Sequence, residues 1–146
     1  MIKIELPTLG AIKLHAQGEY PRECCGLLIG RIEDEGYTRI VVATYPVLNA
    51  WGESDALHHR MLIQPQDYMR AERAFREQNL GVVGNYHSHP DHPAIPSQFD
   101  LEHLAPWPTM SYIVVSVSEG GVSELRSWEL AADRSRFNEE EISKGS

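Results

Sequence analysis

Three apolar runs constrain this chain more than any other feature: Cys25 to Ile32 (CGLLIGRI), Gly81 to His87 (GVVGNYH) and Ser111 to Ser118 (SYIVVSVS). Each is seven or eight residues long, which suits a strand and is far too short to cross a bilayer. The first lacks the alternation of a half-exposed strand and reads as buried on both faces, the second as another buried strand, and the third as a strand. Such a sheet needs cover on two sides, and helices supply it.

The helix signals are present. Thr8 can cap a helix carrying Leu9, Ile12 and Leu14 to Ala16, with an end near Gly18 before Pro21. Pro65, preceded by Gln64, opens a second, in which Tyr68, Met69, Ala71, Phe75 and Leu80 keep a helical period until Gly81. Further strands are expected at Ile2 and Ile4, at Arg60 to Ile63, and at Glu124 to Leu130 after the turn Glu119-Gly120-Gly121. Thr38 to Val47, rich in β-branched residues, follows the Glu35-Gly36 turn as the second arm of a hairpin, which at Pro46 frays or sits at an edge. Strands and helices mix without a regular βαβα alternation. The expected fold is α/β, a three-layer sandwich around a mixed β-sheet. One domain is expected over residues 1–132, followed by a polar, acidic, mobile tail over 133–146.

Composition narrows the function. The 146 residues are 42% apolar and 23% charged, ordinary for a globular domain. A net charge of −8 gives nothing to counterion release, so no nucleic-acid partner is expected. The start, MIKIELPTLG, has no signal-peptide pattern, and no membrane partner is expected. Cys24 and Cys25 are adjacent and cannot reach disulfide geometry without distortion, so both read as thiols of a reducing compartment. A cytoplasmic location is expected.

Seven histidines serve the chain, and four of them, His87, His89, His92 and His103, lie within 17 residues. His87 and His89 are two apart at the end of a strand, where residues i and i+2 face the same way. Asp100 follows across ten residues that include three prolines, and can fold back as a third ligand. Two imidazoles and one carboxylate leave a coordination position open, as in catalytic zinc sites. The plainer alternative is a histidine-rich surface loop that binds nothing in particular.

His87-Ser88-His89-Pro90, followed by Ser97-Gln98-Phe99-Asp100, resembles the H-x-H-P and S-x-x-D motif of the JAMM (MPN-plus) metalloproteases, and the spacing matches without a gap. The segment Pro21-Arg22-Glu23-Cys24-Cys25-Gly26-Leu27-Leu28 resembles the family's early glutamate before an apolar strand, and GVVGNY fits the strand before the histidines. The resemblance covers roughly residues 1–130. It implies a cytidine-deaminase-like fold, one zinc ion per chain on His87, His89 and Asp100, Glu23 as general base and acid, and Ser97 as donor to the tetrahedral oxyanion. Ser97 can also cap the helix that carries Asp100. From the residues alone Glu23 would read as a solvated helix-end charge. Cys24 and Cys25 read as packing residues, His92 and His103 as exposed, and Trp51 and Trp107 as packing groups or groove-lining ones.

The family hydrolyses amide bonds after the terminal glycine of ubiquitin-like proteins or processes small sulfur carriers. This short chain resembles the stand-alone bacterial members. The expected activity is a zinc metalloprotease or isopeptidase cutting after the Gly-Gly tail of a ubiquitin-like sulfur-carrier protein. A RadC-type DNA-repair relative would need a DNA-binding domain and a less acidic chain. A zinc nucleoside deaminase would need H-x-E and P-C-x-x-C, which are missing. A non-catalytic MPN scaffold would have lost ligands that this chain keeps.

Overall fold

The computed structural model describes residues 1–48, 63–103 and 108–145. In chain order the elements are β1 (Ile2–Glu5), α1 (Leu6–Glu19), β2 (Cys25–Glu33), β3 (Thr38–Val47), α2 (Pro65–Phe75), β4 (Gly81–Pro90), α3 (Gln98–His103), β5 (Ser111–Ser118), β6 (Gly121–Leu130), β7 (Phe137–Glu140) and β8 (Ile142–Gly145). The strands form one sheet in the order β7-β6-β5-β4-β2-β3-β1-β8. It is mixed: β4 runs parallel to β5 and β1 parallel to β3 and β8, while the β2–β3, β2–β4, β5–β6 and β6–β7 pairs are antiparallel.

The apolar runs form the middle of this sheet because both of their faces find cover. Leu9, Ile12 and Ala16 of α1 pack with Leu28, Val41, Val83, Ile113 and Val115 on one face. On the other, Cys25, Leu27 and Ile29 meet Ala71 and the half-buried Tyr68 and Phe75 of α2. Leu27 and Leu28, neighbours in sequence, therefore serve opposite layers, as the two-residue period of a strand requires. Both are fully buried, which stabilises the fold by about 1.5–3 kcal/mol per side chain. The three layers follow the sequence expectation. Gly84 is required where β4 meets β5, since a Cβ there would run into the Ser111 carbonyl.

Local differences from the sequence reading have physical causes. Thr8 does not cap α1. The helix begins at Leu6 with a proline in its first turn, and the Thr8 hydroxyl donates to the Val42 carbonyl at 3.1 Å, fastening the helix to β3. α2 opens on a capping box between Gln64 and Asp67 and ends at Phe75, before a single 3₁₀ turn and the left-handed Asn79 (φ 58°). Pro46 pairs with Gly26 on β2, whereas β1 reaches along β3 only to Val41, so the proline sits where β3 is paired on one side. The proposed strand at residues 60–63 falls largely outside the described residues.

The expected mobile tail is structured. β7 pairs with β6, β8 pairs with β1, and only Glu141 separates them. This single run of chain joins the two ends of the strand order. Beneath it lies the buried Arg39, which donates to Ser111 Oγ at 2.7 Å and pairs with Glu140 at 3.0 Å and Glu129 at 2.9 Å. The run is polar because it is held by backbone ladders and this charge cluster, with Phe137 and Ile142 only half-buried.

Candidate metal centre and cleft

β4 reaches its C-terminal end inside the sheet, between β2 and β5, so His87 and His89 stay buried although they are polar. Their separation by two residues puts both rings on one face. The ring centroids are 4.8 Å apart and the Nε2 atoms 3.0 Å apart. α3 brings in the third side chain. Asp100 Oδ2 lies 3.1 Å from His87 Nε2 and 3.1 Å from His89 Nε2. Three buried donor atoms thus form a nearly equilateral triangle.

Ser97 fixes the carboxylate. Its backbone N–H donates to Asp100 Oδ2 at 2.8 Å, and the Asp100 N–H donates to Ser97 Oγ at 3.1 Å, a reciprocal cap at the start of α3. The serine hydroxyl accepts in this arrangement and keeps its own proton available. Burial disfavours the charged form of Asp100, yet the charge of His87, the hydrogen bonds of His87 and His89 and the Ser97 amide hold its carboxyl well below the usual range. Burial likewise acts to lower the pKa of His89, but the Asp100 hydrogen bond and charge outweigh it and raise the imidazole above its ordinary value.

The Pro93 carbonyl orients His89 for coordination. His89 Nδ1–H donates to the Pro93 carbonyl at 2.9 Å, which leaves the Nε2 lone pair facing the triangle. Donors held tetrahedrally about 2.0–2.1 Å from zinc lie about 3.3 Å from one another. The observed spacings of 3.0 and 3.1 Å and the two-imidazole, one-carboxylate set therefore fit a zinc ion.

Glu23 lies in the connection between α1 and β2, buried and lining a cleft of about 300 Å³ together with His89, His92, Pro93, Ile95 and Ser97. Two ties place it. On its C-terminal side the Cys24 N–H donates to Ser88 Oγ at 2.8 Å and the Ser88 N–H to the Cys24 carbonyl at 3.1 Å. On its N-terminal side the Tyr20 hydroxyl reaches both oxygens of Asp91 at 2.9 and 3.0 Å. The structure thus brings all five residues of the sequence motif to one place. His92 is exposed, as expected, but stands on the rim of the same cleft. Trp51, Trp107 and the side chain of His103 lie outside the described residues.

Cys24 and Cys25 are both buried; burial pushes the Cys24 thiol up to about 12 and raises Cys25 as well, so neither offers a thiolate. The sequence reading missed Ser88 and the Pro93 carbonyl. The serine sits inside the motif but its partner, Cys24, is 64 positions away, and a carbonyl leaves no mark in a sequence.

Comparison with known proteins agrees with this geometry. The family of prokaryotic homologs of the JAB domain matches residues 5–131. The tail tip assembly protein K of Escherichia phage N15 is 36% identical over 110 residues, which cover 72% of this chain but 39% of the phage protein, well under half of its length. The desampylase of Haloferax volcanii is 33% identical over 101 residues, 69% of this chain and 67% of that protein. The CysO-cysteine peptidase of Mycobacterium tuberculosis strain H37Rv is 28% identical over 130 residues, 89% of this chain and 83% of that one. The match spans the sheet from the end of β1 through β6, with the histidine pair and Asp100 inside it, and the chain belongs to the prokaryotic JAB/MPN family.

Proposed function

We propose that this protein is a zinc-dependent peptidase or isopeptidase that hydrolyses the amide bond after the C-terminal Gly-Gly of a ubiquitin-like, sulfur-carrier type protein. The observation that carries the reading is the convergence of His87, His89 and Asp100 on one point, with His89 lining a cleft that Glu23 and Ser97 also line. His87, His89 and Asp100 would hold the ion, which when bound supplies Lewis-acid polarisation and a water whose pKa is lowered to about 7.

The remaining chemistry belongs to the side chains. Glu23, buried beside His89, takes the proton of the attacking water and returns it to the departing amine. The Ser97 hydroxyl, whose oxygen already accepts from the Asp100 amide, donates a hydrogen bond to the oxyanion that develops on the scissile carbonyl. Asp100 stays ionised because its carboxyl is held below the usual range. The cleft suits an extended tail: glycines carry no side chain and let the backbone approach the donor triangle closely. The names desampylase and CysO-cysteine peptidase, borne by two relatives, support a small-protein substrate class.

The test is hydrolysis of a ubiquitin-like carrier extended beyond its Gly-Gly by a peptide or single amino acid. Cleavage directly after the second glycine, abolished by chelator and restored by zinc, is the expected result. Cleavage that persists in the metal-free protein overturns the proposal.

A further inference from the structure

The loop from Pro90 to Pro96, which carries no regular structure of its own beyond the end of β4, is fastened to β5 and β6. The Asp91 N–H donates to the Val117 carbonyl at 2.8 Å and Ser116 Oγ–H to the His92 carbonyl at 2.6 Å. The fully buried Ala94 has both of its backbone groups taken by side chains of β6. Its N–H donates to Glu124 Oε1 at 3.3 Å, and its carbonyl accepts from Trp128 Nε1–H at 3.1 Å. The other Glu124 oxygen pairs with Arg126 at 2.9 Å, which steadies the carboxylate.

The Ala94 N–H and the Pro93 carbonyl belong to one planar peptide unit and point in opposite directions. A hold on one therefore aims the other. The Pro93 carbonyl is the acceptor for His89 Nδ1–H at 2.9 Å. One peptide plane thus has Glu124 on one side and a proposed metal ligand on the other, and Trp128 pins the next carbonyl along. An acceptor on the far nitrogen of a ligating histidine fixes its tautomer and ring orientation.

We propose that Glu124 and Trp128 are positioning residues of the metal centre: by holding Ala94 they aim the Pro93 carbonyl that orients His89. The inference rests on the reading that His87, His89 and Asp100 hold zinc. Neither residue touches the cleft's reacting groups, and both act through backbone.

The experiment is zinc affinity of the full chain, measured by competition with a chromophoric chelator, with the Nδ1–H resonance of His89 followed in the zinc-loaded protein and the melting curve recorded as a check of folding. Glu124→Ala and Trp128→Phe are expected to weaken zinc binding about 10–100-fold, the usual effect of losing such a supporting partner. Their His89 Nδ1–H exchanges faster with water. Glu124→Gln keeps an oxygen that accepts from Ala94 and stays close to wild type in both readouts. Trp128→Phe keeps a ring against Tyr112 and Leu130, so the cluster there remains filled. Wild-type affinity in folded Glu124→Ala and Trp128→Phe overturns the inference, as does a loss in Glu124→Gln equal to that in Glu124→Ala. A wild-type protein that takes up no zinc overturns the reading of the centre itself, and the inference with it.

Discussion

The Cys24 amide donates to Ser88 Oγ at 2.8 Å, and this bond joins the residue after Glu23 to the residue between His87 and His89. In an ordinary antiparallel pair the amide would seek the facing backbone carbonyl. Here a side chain intercepts it, so the chain can leave the ladder at Cys24 and carry Glu23 into the cleft. Ser88→Ala leaves a buried N–H without its acceptor, at a cost of about 1–3 kcal/mol. The variant is expected to melt earlier, keep its zinc, and turn over more slowly; Ser88→Thr, which restores the oxygen, recovers most of the rate. Unchanged melting and turnover in Ser88→Ala would show that the bond places nothing.

Glu23 is assigned proton transfer and no ligand role. Glu23→Gln preserves shape and removes the base, so zinc content stays near wild type while turnover of a carrier with a blocked Gly-Gly tail falls roughly 10²–10⁴-fold. Loss of zinc in this variant, measured by elemental analysis, would make Glu23 a support of the centre instead.

The observed cap and the proposed oxyanion donation of Ser97 are separated by magnitude in one substitution. Loss of the cap costs about 0.5–2 kcal/mol of stability, and loss of an oxyanion donor about 2.7–4 kcal/mol of barrier. Ser97→Ala should therefore show a modest drop in melting temperature beside a fall in kcat of about two to three orders of magnitude. A kcat drop no larger than tenfold would leave Ser97 only the cap.

Without metal, the donor triangle makes stability depend on pH in a definite sense. His89 has a folded-state pKa above its ordinary 6.5, so its contribution is complete below 6.5 and is lost as pH rises through the folded value. Asp100 has a folded-state pKa below its ordinary 3.8, so its contribution is complete above 3.8 and is lost only in stronger acid. Between those two ordinary values both contributions are full. The chelator-treated protein is expected to lose melting temperature as pH rises above 6.5 through the folded-state pKa of His89, relative to a His89→Gln variant. Parallel melting profiles for the two proteins would contradict this account.

Much of the fold and the centre could be read in advance because they rest on local signals. The buried strands announce themselves as CGLLIGRI, GVVGNYH and SYIVVSVS, and the donor triangle as a two-residue strand spacing followed by an Asp whose helix Ser97 caps. What stayed hidden depends on long-range partners. FNEE and ISKG carry no apolar alternation, and nothing in them says that β6 and β1 wait with unfilled ladders. Thr8 has the right chemistry for a cap, but Pro7 starts the helix sooner and leaves its hydroxyl to β3. Glu124 and Trp128 look like ordinary residues of a surface strand until the fold sets them against Ala94.

The run from Phe137 to Gly145 has a consequence for biosynthesis. Ile2 pairs with Ile142, which leaves the ribosome long after it. An emerging chain can assemble the centre of the sheet early, but β1 keeps an open edge toward β8 until residues 142–145 have been made. Contacts this distant in sequence form slowly, and an unpaired edge is where strands of neighbouring nascent chains can meet. The interval between synthesis of β6 and arrival of β8 is thus the period in which this chain is most exposed to association with its own copies.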